Sequence, residues 1–293
     1  METYKPSKGI GIYYMLGLML FYDILFILGI VEVNSYIFST LIKIALFIFT
    51  LYQLYYIFIY YTLKYEASET SLSIICFAKK IVLPYHNIEC YKVLSGNISG
   101  VKLSGFGLSS FALGKSVVKK IGTTNMFVTS SNTVIYIKTS NTNYALSPQN
   151  SQNFIKLLEA KHIKHNEWEQ PQNKQISLHK DKSFMVPFLL ASLIIVILTL
   201  NPFILYLSKK LPNTMPLNFD AAFLPVDQGT GKQFAFNQMV YGVLNMAILF
   251  CMYYASHFYA KYDKKSAKKY IYGALVIAVA FLLVQFRILY TFR

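Results

Sequence analysis

The sequence predicts an α+β membrane protein, with about five transmembrane helices and a compact β-domain inserted between the second and third. Three observations carry this prediction. Of 293 residues, 55% are apolar and only 14% are charged, whereas an ordinary soluble domain carries about 25% charged residues. The apolar residues gather into long runs instead of spreading at core spacing. Between residues 64 and 166 those runs give way to short alternating stretches separated by turn residues.

The first run, residues 10–31, is long enough to span a bilayer. Lys5 and Lys8 precede it, but it is too long for a signal h-region and lacks a small-x-small cleavage site. It is expected to remain as the first helix of an N-terminal hairpin, residues 1–63, turning at Val31–Ser35. The second run, 36–63, ends among Tyr52, Tyr55, Tyr56, Tyr60, Tyr61 and Tyr65, which read as an interfacial aromatic belt. Asp23 and Lys43 each lie about eight residues from the turn, hence roughly 12 Å along their helices. Two accounts stand for them: a buried intramembrane Asp23–Lys43 pair, or a snorkelling Lys43 beside a protonated Asp23.

Residues 64–166 read as one β-domain. Strand patterns occur at 72–77, 81–85, 126–129, 134–139 and 144–146, with turn clusters at Ser95-Gly96-Asn97 and Asn141-Thr142-Asn143. Phe154, Leu157 and Leu158 mark a closing amphipathic helix with Pro148 in its first turn. Strands closed by such a helix suggest a small barrel or sandwich. Residues 167–182 are polar, contain Pro171 and several glutamines, and read as a linker.

Three further runs, 184–207, 236–260 and 270–292, form a three-helix region, 183–293, with a polar insert at 208–235. The basic loop Lys261–Lys269 is the strongest topological signal, because short basic loops stay in the cytoplasm. It predicts a multi-pass cell-membrane protein with the N-terminus and β-domain cytoplasmic, and the insert and C-terminus outside. Lys209 and Lys210 oppose this assignment.

The net charge of +15 does not imply a nucleic-acid partner. The basic residues are lysines apart from Arg287 and Arg293, and no zinc-finger, KH or RNP pattern accompanies them. An anionic lipid bilayer is the expected partner. Cys76, Cys90 and Cys251 have no metal spacing, and a disulfide framework is not expected in the cytoplasm. Cys251 reads as a packing residue.

The middle domain resembles the bacterial pleckstrin-homology (PH) family found in Gram-positive membrane proteins. The likeness rests on the basic strand 79–85, the stretch Gly105-Phe106-Gly107 to Gly114, Val134-Ile135-Tyr136-Ile137-Lys138-Thr139, Tyr144-Ala145-Leu146-Ser147-Pro148 and Phe154-Ile155. It implies a PH-like β-barrel with a capping C-terminal helix, and no general ligand. The insert is similar to a DUF1648-type module of multi-span bacterial membrane proteins, including peptide-toxin immunity and sensing types. That likeness rests on Leu211-Pro212, Met215-Pro216-Leu217-Asn218-Phe219-Asp220, Asp227-Gln228-Gly229 and Gly231-Lys232. Asn218 stands where that pattern has histidine, so a metal or proton role for the histidine is lost here.

No cofactor, metal site or catalytic constellation is expected. Gly105 and Gly107 lack the third glycine and helix of a dinucleotide fingerprint. His162 and His165 read as a solvated basic end of the closing helix. No nucleophile elbow, HExxH or carboxylate pair occurs. Two surfaces are candidates for binding. Lys79, Lys80, Lys119 and Lys120 offer a lipid or partner face on the domain. Phe219, Asp220, Phe223, Asp227 and Lys232 offer an outer binding loop for a peptide or a membrane-protein partner. The leading expectation is a membrane protein that couples this loop to the PH-like module, as in peptide sensing or immunity. The alternatives are a non-catalytic scaffold or accessory subunit, and a transporter, for which only Asp23, Lys43, Asn201, Gln285 and Arg287 qualify as path residues.

Overall fold

A computed structural model describes residues 2–33, 35–140, 142–169 and 178–292. The chain opens with strand β1 (Glu2–Tyr4), then helices α1 (Gly11–Glu32) and α2 (Tyr36–Thr62). Strands β2 (Lys64–Ala67), β3 (Ser71–Cys76), β4 (Lys79–Pro84), β5 (Ile88–Leu94) and β6 (Gly100–Leu108) follow. Next come β7 (Phe111–Val118), β8 (Gly122–Val128), β9 (Val134–Thr139), β10 (Asn143–Leu146), helix α3 (Ser151–Ala160) and β11 (Lys164–His165). The last part holds α4 (Lys182–Leu207), β12 (Thr214–Phe219), β13 (Pro225–Thr230), α5 (Gly231–Ala260) and α6 (Lys264–Phe292). Five helices, α1, α2, α4, α5 and α6, are long and apolar enough to cross a membrane, in line with the five runs. The chain divides into two compact units, Met1–Leu25 with Leu46–Asn173, and Phe26–Ala45 with Lys174–Arg293. The division therefore cuts through the hairpin helices.

In the first unit the strands form two open sheets, of order β1-β2-β3-β4 and β11-β5-β9-β10-β8-β7-β6. Among the described residues no pairing closes them into the expected barrel. They enclose a core that includes Tyr65, Leu72, Ile74, Leu113, Ile135, Ile137, Phe154 and Leu158. Helix α3 covers it with Phe154 and Leu158, both fully buried. Its start differs from expectation. Asn150 is the N-cap, accepting from the Asn153 N–H at 3.1 Å, while Pro148 lies outside the helix in a bridge with Pro6. His162 and His165 fall after α3 and not on it, His165 lying in β11.

Tyr65 belongs to this core and not to an interfacial belt. Its hydroxyl donates to the Phe127 carbonyl at 2.7 Å and accepts from the Ser147 N–H at 3.2 Å, so β2 of one sheet is bonded to β8 of the other. Complete burial holds the phenol well above its ordinary pKa.

The first residues of the chain are also part of the domain. Strand β1 pairs antiparallel with β2. Ser7 N–H donates to the Ser147 carbonyl at 2.7 Å, and Gln149 N–H to that of Lys5 at 2.9 Å. The Thr129 hydroxyl donates to the Ser7 carbonyl at 2.7 Å. A three-residue strand ahead of a membrane-length run carries no alternation long enough to predict, so it joins the sheet by tertiary pairing alone.

In the second unit α4, α5 and α6 pack side by side. The buried residues of α6 include Ala267, Ile271, Ala274, Ala278, Phe281, Gln285 and Ile288, at alternating steps of four and three. That spacing lines one helix face, and its alanines let neighbouring backbones approach closely. Gly242 of α5 serves the same end, since a Cβ there would meet Thr199 of α4. Pro202 inside α4 cannot donate to the Leu198 carbonyl one turn back. Gln285 of α6 does so instead, its Nε2 donating at 2.9 Å. The same amide lies 3.4 Å from Gln238 Oε1, and Asn201 Nδ2 lies 3.4 Å from Gln285 Oε1. A proline-freed buried carbonyl is thus satisfied by a neighbouring helix. Cys251 is exposed on α5 and is not the packing residue expected.

Candidate functional site

The domain is fastened to the hairpin at the end where α1 begins and α2 finishes. One residue, the buried Leu63, separates α2 from β2. The Tyr60 hydroxyl donates to the Gly9 carbonyl at 3.0 Å, holding the end of α2 against the segment that enters α1. Tyr52 Oη accepts from the Gly105 N–H at 3.0 Å. Gly105 has φ +102°, faces Gly114 across the β6–β7 ladder and sits on an edge strand, so α2 satisfies a donor the sheet leaves open. The Gly105–Gly114 pair is therefore a close-approach device. Phe106 packs near Tyr52 and Tyr56, with ring centroids 6.1 and 6.2 Å away. Phe111 meets Tyr14 of α1 at 6.1 Å and lies where a Cβ on Gly11 would collide with it.

The turn between β3 and β4 makes the second fastening. Phe77 stacks on Phe58 at 5.2 Å, and its N–H donates to Thr62 Oγ1 at 2.6 Å. Tyr52, Tyr55, Tyr56 and Tyr60 thus seat the domain, a use the belt pattern alone does not reveal.

The four lysines predicted to share one face are divided between two places. Lys79 and Lys80 follow the Phe77 turn, next to the hairpin, and Lys79 Nζ lies 5.8 Å from the Phe127 ring centroid. Lys119 and Lys120 lie beyond the other end of β7, roughly 26 Å along the strand from Phe111. There Lys120 pairs with Glu169 at 2.9 Å, which raises the lysine pKa and lowers that of the glutamate through the hydrogen bond and charge they share. The buried Tyr136 phenol of β9 is pushed up to about 12 by desolvation.

Asp23, half-buried on α1, accepts from Thr50 Oγ1 of α2 at 2.9 Å. Lys43 is exposed on α2.

The aromatic residues expected to form a binding loop are interior. Phe219 and Phe223 stack at 4.6 Å with their planes 6° apart, and Phe292 packs beside both. The Arg287 guanidinium lies 4.0 Å from the Phe223 ring centroid and hydrogen-bonds to the Tyr36 hydroxyl. Arg287 is thus held by aromatic faces. Asp220 Oδ1 accepts from the Ala222 and Leu224 N–H groups at 2.9 and 2.8 Å, closing the turn that holds Phe223 at φ +67°. Asp227 accepts from Asn218 Nδ2 at 2.9 Å. Lys232 is exposed in the first turn of α5, which opens with a Thr230–Gln233 capping box. Burial of Phe219 and Phe223 overturns their role as exposed contacts. The exposed apolar residues here are Leu224 and Val226, beside the unpaired edge of β13.

Asp181 was not among the predicted site residues. It caps α4, accepting from the Ser183 N–H at 3.0 Å, and pairs with Lys264 and Lys268 of α6 at 3.0 Å each. Those contacts hold its carboxyl well below the usual carboxylate range, the Ser183 hydroxyl first among them. Part of the lysine loop read as a topology signal is therefore bound to Asp181. The Asp-x-Ser start of α4 was the available cue.

The β-domain is of a known class: residues 63–162 match the bacterial PH domain. Along its whole length the chain is 40% identical to an uncharacterized protein of Clostridium acetobutylicum, over 294 residues that cover 100% of this chain and 99% of the relative. The chain belongs to the family of bacterial PH-domain proteins that includes this clostridial protein. No solved structure matches it. None of these matches carries the likeness of the insert to a DUF1648-type module.

Proposed function

We propose that this protein is a non-catalytic scaffold of the bacterial cell membrane, holding its PH domain in a fixed attitude against the cytoplasmic face for a second membrane protein to dock on. The observation that carries this reading is the fastening of the domain to both hairpin helices. Strand β1, the Tyr60–Gly9 bond and the Tyr52–Gly105 bond leave no flexible tether between domain and hairpin. A tethered domain searches for partners, whereas a fastened one presents a single orientation. The proposed topology puts the N-terminus, the PH domain and the Lys261–Lys269 loop inside, and the insert and C-terminus outside. A reporter fused after Ala222 is then exported, and a cytoplasmic signal overturns that assignment. Anionic lipid meets Lys79 and Lys80 beside the hairpin, while Lys119 and Lys120 at the far end are offered to the partner.

The test is crosslinking in cells, followed by mild-detergent purification and mass spectrometry. A stoichiometric protein partner lost on Lys119→Glu with Lys120→Glu supports the scaffold. Recovery of lipid and self-contacts alone removes it. A second reading, peptide sensing or immunity, draws support from the exposed edge of β13 with Leu224 and Val226, to which an extended peptide can add as a strand. Unchanged sensitivity of a deletion strain to membrane-active peptides counts against that reading.

A further inference from the structure

The second unit carries a groove that none of the predicted sites includes. It has a volume of about 450 Å³ and runs between α4 and α5. Met185 and Val196 bound it on α4, Met246 and Tyr253 bound it on α5, and Ser192 lies midway along its α4 side. From Met185 to Val196 the helix rises roughly 16 Å. The volume falls in the ordinary range of ligand sites, about 300–1,000 Å³, and the lining is mostly apolar, with Ser192 midway and His179 at one end.

That end is basic. His179 lines the groove there, and its ring lies 5.2 Å from that of His257. Lys180 and Lys182 are exposed on either side of Asp181. The Asp181 carboxylate, the acidic group at this point of the chain, is already taken up by Lys264 and Lys268. His257 Nδ1 lies 3.0 Å from the Tyr253 carbonyl, while its buried Nε2 has no hydrogen-bond partner among the described residues. An apolar slot with a histidine at one mouth, and two exposed lysines next to that histidine in the chain, has the chemistry of an acyl chain below an anionic headgroup.

We propose that this groove binds one acyl chain of an anionic phospholipid, with the headgroup phosphate at His179, Lys180 and Lys182. The inference rests on the membrane reading. A zwitterionic lipid fills the same slot but gains less at its mouth. With two lysines each contributing about 1 kcal/mol near a charged surface, the preference for anionic over zwitterionic headgroup is about tenfold or more.

The test uses the full chain in mild detergent with equimolar phosphatidylglycerol and phosphatidylethanolamine, and native mass spectrometry reads the retained lipid. The wild type is expected to hold one phosphatidylglycerol with that preference. Ser192→Trp, which fills the slot, is expected to lose retained lipid. Lys180→Glu with Lys182→Glu changes exposed positions outside the slot, and is expected to lose the preference while keeping lipid. Equal retention of both lipids by the wild type, unchanged retention by a monodisperse Ser192→Trp protein, or a peptide recovered in place of lipid overturns the site. Alkaline extraction of membranes reports on the membrane reading separately. A chain released by it fails that reading, whereas a chain that stays but shows no headgroup preference fails this site alone.

Discussion

The PH domain and the α4–α6 bundle sort polar and apolar side chains differently, although both bury an apolar core. In the domain Leu72, Ile74, Ile135, Ile137 and Phe154 are buried, while Lys79, Lys80 and Lys119 face outward. In the bundle Leu189, Leu193, Phe250 and Leu283 are exposed, while Gln238, Asn245, Ser256 and Gln285 are buried. Water rewards hiding hydrocarbon. Where the surroundings are themselves hydrocarbon that reward is gone, and close packing of small residues with interhelical hydrogen bonds takes its place. The hairpin is different again. The apolar windows of α1 and α2 are only 6% and 11% buried, against 28–33% in the other three membrane-length helices. Their apolar faces are therefore largely exposed.

The comparison predicts a ranking of effects. Phe154→Ala empties a filled position in the domain core, and is expected to cost about 3–5 kcal/mol. Thermal unfolding followed by fluorescence of Trp168, the single tryptophan, reads the domain alone. Tyr65→Phe keeps the ring but leaves the Phe127 carbonyl and the Ser147 N–H without their buried partner, for an expected loss of about 1–3 kcal/mol. In the bundle Gln285→Leu is expected to cost about 0.6–2 kcal/mol in detergent melts, the range for interhelical hydrogen bonds. Pro202→Ala restores a donor to the Leu198 carbonyl, so the double variant is expected to lose less than the sum of the two single losses. Strict additivity would break the account of Gln285. A Gln285→Leu loss larger than that of Phe154→Ala would break the comparison itself.

The smallest effect is conditional on pH. Asp181 has a folded-state pKa below its unfolded value, so its contribution is present above the ordinary aspartate pKa of about 3.9 and is lost as pH falls toward the folded value. The stability difference between wild type and Asp181→Asn is therefore expected to stay level above about pH 5 and to shrink below about pH 4. A difference that grows on acidification would show that the lysine pairs do not stabilise the join of α4 and α6.

What was legible in the sequence had a periodic signal. The five apolar runs became five helices of membrane length. Val134–Thr139 appeared with its expected bounds, and Phe154 and Leu158 closed the domain as their spacing implied. The glycine-rich β6 has no strand signal in the sequence, because Gly100, Gly105 and Gly107 carry no side chain to alternate. Of the candidate sites the sequence supplied residue types and could not supply depth. Phe219 and Phe223 look the same in a sequence whether they face solvent or stack on each other, and Lys79 and Lys119 look the same whether they share a face or lie at strand ends in different sheets.

The sequence by itself determined which segments are long and apolar enough to cross a membrane, because run length and charge content are sums over neighbouring residues. Only the tertiary structure decided which groups meet. It brought β1 to β2, Tyr52 to Gly105, Asp181 to Lys264 and Lys268, and Gln285 to the carbonyl freed by Pro202. Each of these contacts joins residues far apart in the chain, and each satisfies a polar group that local structure leaves without a partner or holds two elements together, so its reason becomes visible only once the chain is folded.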